Sequence, residues 1–251
     1  RQIAATAGPQ FKKLSLELGG KNPNIIFADC DWDAMMKGSV RAGFANQGEI
    51  CLCGSRVYIE RPAYERFRDE FVARVKDLRQ GDPLDETTKQ GALVSEAHME
   101  KVLSYIELAK EEGGTILCGG TRFYPDEARC KDGWFVAPTV IEGLSPVCRT
   151  NQEEIFGPVV TLTPFDTEDE VAAMANGTVY GLAASLWSSD ISRCHRLADR
   201  IESGLVWINT WMLRDLRTPM GGVKQSGLGR EGGFEALRFF TEAKNVCVKY
   251  A

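Results

Sequence analysis

Histidine is nearly absent from this chain of 251 residues, which holds only His98 and His195. Both fall in stretches with amphipathic helical spacing. Neither has the setting of a nucleophile's partner, so a cysteine–histidine hydrolase is not expected. Basic charge is not in excess either: 30 Lys and Arg stand against 35 Asp and Glu, for a net charge of −5. A nucleic-acid surface needs a basic stripe, so no nucleic-acid partner is expected. No apolar run approaches the roughly 18 residues of a membrane span, and no signal peptide is visible. A cytoplasmic protein without a membrane partner is the expectation. The eight cysteines are scattered, and the one close pair, Cys51 and Cys53, lacks redox or zinc spacing. That usage suits a reducing compartment and predicts no metal site. Internal repeats, low-complexity linkers and an initial methionine are missing as well. Arg1 to Ala7 has the composition of a helix body before the Gly8-Pro9 stop, so residue 1 reads as an internal position of a longer polypeptide.

What is present is an ordinary globular composition, 43% apolar and 26% charged, enough for one large domain or two small ones. β-Branched and aromatic residues predict strands at about 12–18, 23–27, 55–60, 134–140, 158–164, 182–187, 204–209 and 245–250. Helices alternate with them. Tyr64, Phe67, Phe71, Val75 and Leu78 are spaced three or four apart within Pro62–Arg79, and Met99, Val102, Ile106 and Ala109 within Ser95–Glu112. Thr167-Glu168-Asp169-Glu170 is a capping box for a helix that stops at Asn176-Gly177. Alternation of this kind predicts an α/β fold built on a layered sheet.

Two segments carry chemistry. In Phe44-Ala45-Asn46-Gln47-Gly48-Glu49-Ile50-Cys51-Leu52-Cys53-Gly54-Ser55-Arg56, a cysteine sits among glycines and small residues where a helix gives way to a strand. A structural cysteine needs no such setting, whereas a nucleophile needs room for a carbonyl and nearby N–H groups for an oxyanion. Leu14 to Leu18 alternates like a strand with Glu17 opposite the leucines, just before Gly19-Gly20. Glu17 precedes Cys51 by 34 positions.

Together these segments resemble the two active-site signatures of the aldehyde dehydrogenase superfamily. Further blocks extend the resemblance nearly end to end: Glu153-Glu154-Ile155-Phe156-Gly157-Pro158, Tyr180 to Ala184, Gly204 to Asn209 and Pro219 to Gly227. The resemblance implies a three-layer α/β catalytic domain with a central, mostly parallel sheet over 20–225. Residues 1–19 would then be a remnant of the dinucleotide-binding domain, and 226–251 a tail with an oligomerisation-type strand. It makes Cys51 the nucleophile and Glu17 the general base, with Glu154 and Phe156 on the ribose and ring of NAD or NADP, NAD preferred. Asn209 would lie near the active site as a substrate-binding residue; a turn residue ending its strand is the alternative. The family's dinucleotide site, and an asparagine completing its oxyanion hole, would lie upstream of residue 1. A homo-oligomer is implied for the longer parent.

The loop Trp211-Met212-Leu213-Arg214-Asp215-Leu216-Arg217-Thr218-Pro219 resembles the 2-hydroxymuconic and 2-aminomuconic semialdehyde dehydrogenases. Arg214 and Arg217 suit a substrate carboxylate, since guanidinium binds it through two hydrogen bonds; an Arg–Asp surface pair is the alternative. Gly227-Leu228-Gly229-Arg230-Glu231-Gly232 matches the dinucleotide fingerprint only in spelling, because no strand leads in and no acidic residue follows about 20 positions on. The expected function is NAD(P)-dependent oxidation of an aldehyde, a carboxylated semialdehyde, through a thiohemiacetal and a thioester on Cys51. A cofactor-independent esterase or thioesterase would instead turn over esters without NAD+. A non-catalytic fragment would show a Cys51 no more reactive than the other cysteines.

Overall fold

The structure is a computed structural model and describes residues 1–251. Its strands begin with β1 Leu16–Glu17, β2 Pro23–Ile26, β3 Arg56–Glu60, β4 Thr115–Cys118, β5 Arg122–Phe123, β6 Phe135–Val136 and β7 Thr139–Glu142. They continue as β8 Val159–Phe165, β9 Tyr180–Gly181, β10 Ala183–Trp187, β11 Leu205–Ile208, β12 Val223–Lys224 and β13 Gly227–Leu228. The helices are α1 Gln2–Ala7, α2 Trp32–Phe44, α3 Tyr64–Lys76, α4 Glu96–Glu111, α5 Arg149–Gln152, α6 Glu168–Asn176, α7 Ile191–Arg200 and α8 Gly233–Phe239.

Seven strands form one sheet in the order β11-β10-β2-β3-β8-β7-β4. Every neighbouring pair is parallel except β7 with β4 at the edge. A parallel sheet must be covered on both faces, and the period of two along each strand supplies both surfaces. Ile26, Val57 and Ile59 face α2 and α3, where they pack with Met35, Phe44, Phe67 and Phe71. Ile25 and Tyr58 face the other way, against Val171 and Ala172 of α6 and Leu197 of α7. Phe67 and Phe71 stack at 4.9 Å; each contributes roughly 1.5–3 kcal/mol by its burial. The result is the expected three-layer α/β arrangement. No helix is long and apolar enough to cross a membrane.

The expected helix starts are present. Ser95 Oγ accepts the His98 N–H at 3.2 Å, and Thr167 Oγ1 accepts that of Glu170 at 3.1 Å. The return arm of the box differs, since Glu170 Oε2 takes the N–H of Asp166. Four strand expectations need correction. The strand at 12–18 shrinks to Leu16–Glu17, which pairs only with β13. The strand at 134–140 divides into β6 and β7 around Ala137-Pro138, because proline has no N–H to give a ladder. An edge strand, β4, forms where none was expected. Residues 245–250 form no strand: Val246, Val248 and Tyr250 are 71%, 66% and 87% exposed, and the segment pairs with no edge of the sheet. The pairing of β1 with β13 also joins the expected N-terminal remnant to the expected C-terminal tail.

Candidate active site

Three loops lead into the N-terminal ends of β2, β3 and β8, which lie side by side in the sheet. They carry Gly19 to Asn22, Glu49 to Ser55, and Glu154 to Pro158. Glu17, on β1, sits just before the first. Open α/β sheets usually gather ligands at the carboxyl ends of their strands; here the reactive side chains gather at the amino ends.

Cys51 owes its position to a strained turn. After α2, Asn46, Gln47 and Gly48 take φ of 50°, 55° and 74°. The two non-glycine residues cost on the order of 1–2 kcal/mol each. Local bonds hold them: Asn46 Nδ2 donates to the Glu49 carbonyl at 3.2 Å, and Gln47 Oε1 accepts the Gly91 N–H at 3.0 Å. At Gly48 a side chain would overlap the Gly157 carbonyl. The turn leaves Cys51 half-buried. Buried Asn22 then pins its main chain, with Nδ2 donating to the carbonyls of Cys51 at 2.8 Å and Cys53 at 2.9 Å. Its Oδ1 accepts the Ala183 N–H at 3.0 Å. On the other side Trp211 Nε1 donates to the Leu52 carbonyl at 2.9 Å.

The two neighbouring thiols differ. Cys53 is buried, which pushes its pKa up to about 12. The Cys51 thiol is also raised, by burial first and then by the Glu17 and Glu154 carboxylates. Its own backbone N–H and the Arg214 guanidinium pull the other way. In the folded chain, burial and two like charges outweigh them.

Glu17 is itself held above the ordinary carboxylate range by burial and by Glu231, against the pull of Arg230 and Arg214. A carboxylate raised toward neutrality is the better base for taking a proton from water. Its strand pairs Glu17 with Gly227 and Leu16 with Leu228. A side chain at 227 would overlap the Leu16 carbonyl. The glycines of the 227–232 segment therefore let a strand close beside Glu17; they do not shape a phosphate cradle.

Glu154 Oε1 accepts the Gly20 N–H at 2.9 Å, and Lys101 Nζ donates to the Glu154 carbonyl at 3.0 Å. Phe156 has φ 60° and packs edge-on against the His98 ring, with centroids 6.0 Å apart. A carboxylate acceptor beside an aromatic face matches the hydroxyls of a ribose and a flat nicotinamide ring. Gly19 keeps that cradle open, since a Cβ there would overlap the Glu154 carboxylate. These two residues suit the nicotinamide and its ribose, one end of a dinucleotide.

The remaining candidates separate. Arg214 stands in an exposed loop, close enough for its charge to act on both Cys51 and Glu17. Together with Leu213, Met220 and Glu231 it lines a cavity of about 100 Å³. Arg217 is 88% exposed and forks onto Asp215, Nε to Oδ1 at 2.9 Å and Nη2 to Oδ2 at 2.5 Å. Asn209 lies at the opposite, C-terminal end of β11. Its amide clips the backbone of Ser188, accepting the N–H at 3.0 Å and donating to the carbonyl at 2.9 Å. The structure does not bring it to Cys51. Sequence reasoning missed Asn22 and Trp211, which hold the nucleophile loop, and the contact between His98 and Phe156. An asparagine just after a glycine pair, at the mouth of the Pro23–Ile26 strand, was the available signal for Asn22.

Comparison with known proteins shows the family and the fold. The sequence profile described as "Aldehyde dehydrogenase family" matches residues 1–246. A 2-aminomuconic 6-semialdehyde dehydrogenase from Pseudomonas sp. is 49% identical over 247 residues, covering 98% of this chain and 50% of that protein. A 2-hydroxymuconic semialdehyde dehydrogenase from Pseudomonas sp. (strain CF600) is 48% identical, covering 98% and 51%. The NAD+ complex of an aldehyde dehydrogenase from Bacillus cereus superposes with a TM-score of 0.95 at 40% identity, covering 100% of this chain and 50% of that one. The chain spans about half the length of the curated relatives it matches.

Proposed function

The chain belongs to the aldehyde dehydrogenase family, and we propose that the protein bearing it oxidises a carboxylated semialdehyde to the acid, with NAD+ as acceptor. The 2-aminomuconic or 2-hydroxymuconic semialdehyde class is the substrate. One arrangement carries this reading: half-buried Cys51 lies within the electrostatic reach of Glu17, Glu154 and Arg214 together. The two muconic-semialdehyde relatives support the substrate class, and the NAD+ complex of the Bacillus cereus relative supports NAD.

The Cys51 thiol passes its proton to Glu17, which releases it to solvent, and the sulfur attacks the aldehyde carbon; a C–S bond forms as the C=O π pair moves onto oxygen, which the backbone N–H of Cys51 faces. NAD+, when bound, supplies the acceptor for the hydride that leaves this carbon. Glu154 would hold the ribose hydroxyls as a hydrogen-bond acceptor, and Phe156 would pack against the nicotinamide ring. Glu17 takes a proton from water, which attacks the thioester and releases the acid and the Cys51 thiol. Arg214 offsets the negative charge of the two carboxylates and pairs with the substrate's distal carboxylate.

The test is Glu17→Gln in the intact protein. A carboxamide cannot accept the water's proton, so a burst of NADH followed by slow turnover is expected, with Cys51 trapped as a thioester detectable by mass spectrometry. Unchanged steady-state turnover removes the base from the scheme. Ester hydrolysis independent of NAD+, with no aldehyde oxidation, would replace the dehydrogenase reading with the esterase one.

A further inference from the structure

The loop that carries Cys51 and the segment that carries Phe156 meet at one side chain, His98. On the first turn of α4, His98 Nε2 lies 2.6 Å from the Phe156 carbonyl and 3.5 Å from Glu49 Oε1. Glu49 stands two residues before Cys51, and its Oε1 also accepts the Val94 N–H at 3.2 Å. Both side chains are largely enclosed, 15% exposed for His98 and 9% for Glu49. A carbonyl oxygen only accepts, so Nε2 carries the hydrogen and donates to Phe156. One turn further along α4, Lys101 Nζ holds the Glu154 carbonyl. Two side chains at i and i+3 of one helix therefore grip both ends of the 154–156 segment. The left-handed backbone of Phe156 needs such a grip, because a bulky residue stays in that region only where its surroundings over-determine it.

We infer that His98 is a positioning residue that ties the Phe156 segment to the Cys51 loop through Glu49, setting the nicotinamide face and the nucleophile in one register. Neither the family signatures nor the substrate assignment requires this pair. The inference rests on the proposed dehydrogenase reading for its consequence in turnover, but its geometry concerns only this chain. Loss of the donor frees the Phe156 carbonyl and takes the ring from beside the Glu49 carboxylate, which the Val94 N–H and Gln47 Nε2 still hold, so the two loops lose their shared contact.

The experiment compares His98→Phe, which keeps a ring against Phe156 without a donor, with His98→Gln, which restores an N–H donor, in the intact protein. Two readouts are taken: the NAD+ dissociation constant by tryptophan fluorescence, and the iodoacetamide alkylation rate of Cys51 without NAD+, mapped by mass spectrometry. His98→Phe should weaken NAD+ binding about five- to tenfold, the worth of one hydrogen bond of about 1 kcal/mol, and change the Cys51 alkylation rate at least twofold. His98→Gln should restore both to within about twofold. If His98→Phe fails to fold, Glu49→Gln takes its place and should change the Cys51 rate in the same way. Wild-type values in His98→Phe, or equal losses in both His98 variants, overturn the inference. A wild-type protein that oxidises no aldehyde would defeat the proposed function, while the alkylation comparison would still decide the role of His98.

Discussion

The Glu154 carboxylate accepts the backbone N–H of Gly20 at 2.9 Å, and lies so close to the preceding residue that a Cβ on Gly19 would overlap it. The side chain expected to hold the ribose is thus braced against the loop that follows Glu17, and a missing methyl makes the bracing possible. The atoms that an added methyl would meet belong to the end of a flexible side chain, so the fold can yield while the carboxylate moves. Gly19→Ala should therefore leave the urea midpoint nearly unchanged and raise the NAD+ dissociation constant about five- to tenfold, corresponding to one lost hydrogen bond of about 1 kcal/mol. A calorimetric titration of the intact protein with NAD+ measures it; a collapse in stability at unaltered affinity would contradict it.

Cys51 and Cys53 should differ sharply in reactivity. Cys53 is buried and its thiol is raised to about 12, so at pH 8 iodoacetamide should label Cys51 well ahead of it. Cys51→Ser should abolish aldehyde oxidation, while Cys53→Ser, which replaces a small buried side chain, should retain most of it. Mapping the labelled peptides and assaying NADH formation test both halves.

The charges around Cys51 give opposite signs for two substitutions. Its thiol is raised by burial, then by Glu17 and Glu154, and lowered by Arg214. Alkylation follows the thiolate, so the rate at pH 7–8 should fall short of that of a free thiol and keep climbing above the free-thiol value near 8.5. Glu17→Gln removes a like charge and should speed alkylation at pH 8. Arg214→Ala removes the compensating cation and should slow it. The pH–rate profiles of the apoprotein, read without substrate or cofactor, would show shifts in opposite directions; shifts in one direction would mean that reach to solvent, not charge, governs this thiol.

Arg214 and Arg217 should not share the recognition of a substrate carboxylate. Arg217 is committed to Asp215 at the surface, whereas the Arg214 charge, its guanidinium resting on Met220 Sδ, acts on both Cys51 and Glu17. A charge-assisted pair is worth about 1.5–3 kcal/mol, which corresponds to roughly ten- to a hundredfold in binding. Arg214→Ala should raise KM for a carboxylated semialdehyde by that factor and change it little for a neutral aliphatic aldehyde; Arg217→Ala should leave both near wild type. Equal losses on the two aldehydes in Arg214→Ala would make it a support of the loop.

Lys21, beside the glycine pair, is buried, and burial followed by the nearby Arg56 charge lowers its pKa to about 7. The unfolded chain binds this proton up to about pH 10.4, so between about pH 7 and 10.4 the unfolded state holds more protons than the folded one. This residue's penalty is greatest near and below pH 7 and fades as the pH rises. Lys21→Met, similar in length and uncharged, should stabilise the fold at pH 6–7, with a gain that shrinks by pH 9.5. Urea midpoints of the two proteins across that range give the difference directly. A gain that does not vary with pH would show that Lys21 is not neutralised on folding.

The chain's local order was legible because it rests on contacts a few residues apart. The caps at Ser95 and Thr167, the opposed faces of Ile25 and Ile26, and the helical spacing of Phe67 and Phe71 are all written at short range and survive in the fold. Cys51 and Glu17 could be singled out for the same reason, each being a reactive side chain set beside glycines at the end of a regular element. What only the tertiary structure decided was adjacency. The order β2-β3-β8 brings three separate loops to one edge, and the same parallel arrangement sends Asn209 to the far end of its strand, away from Arg214. The pull of charge on Cys51 was equally hidden, because Glu17 and Glu154 are 137 residues apart in the chain and meet across it only after the sheet has formed. The strand pattern at 245–250 shows the converse: alternation makes a strand possible, but only pairing with a neighbouring edge can satisfy its N–H and C=O groups, and in the fold this segment pairs with none.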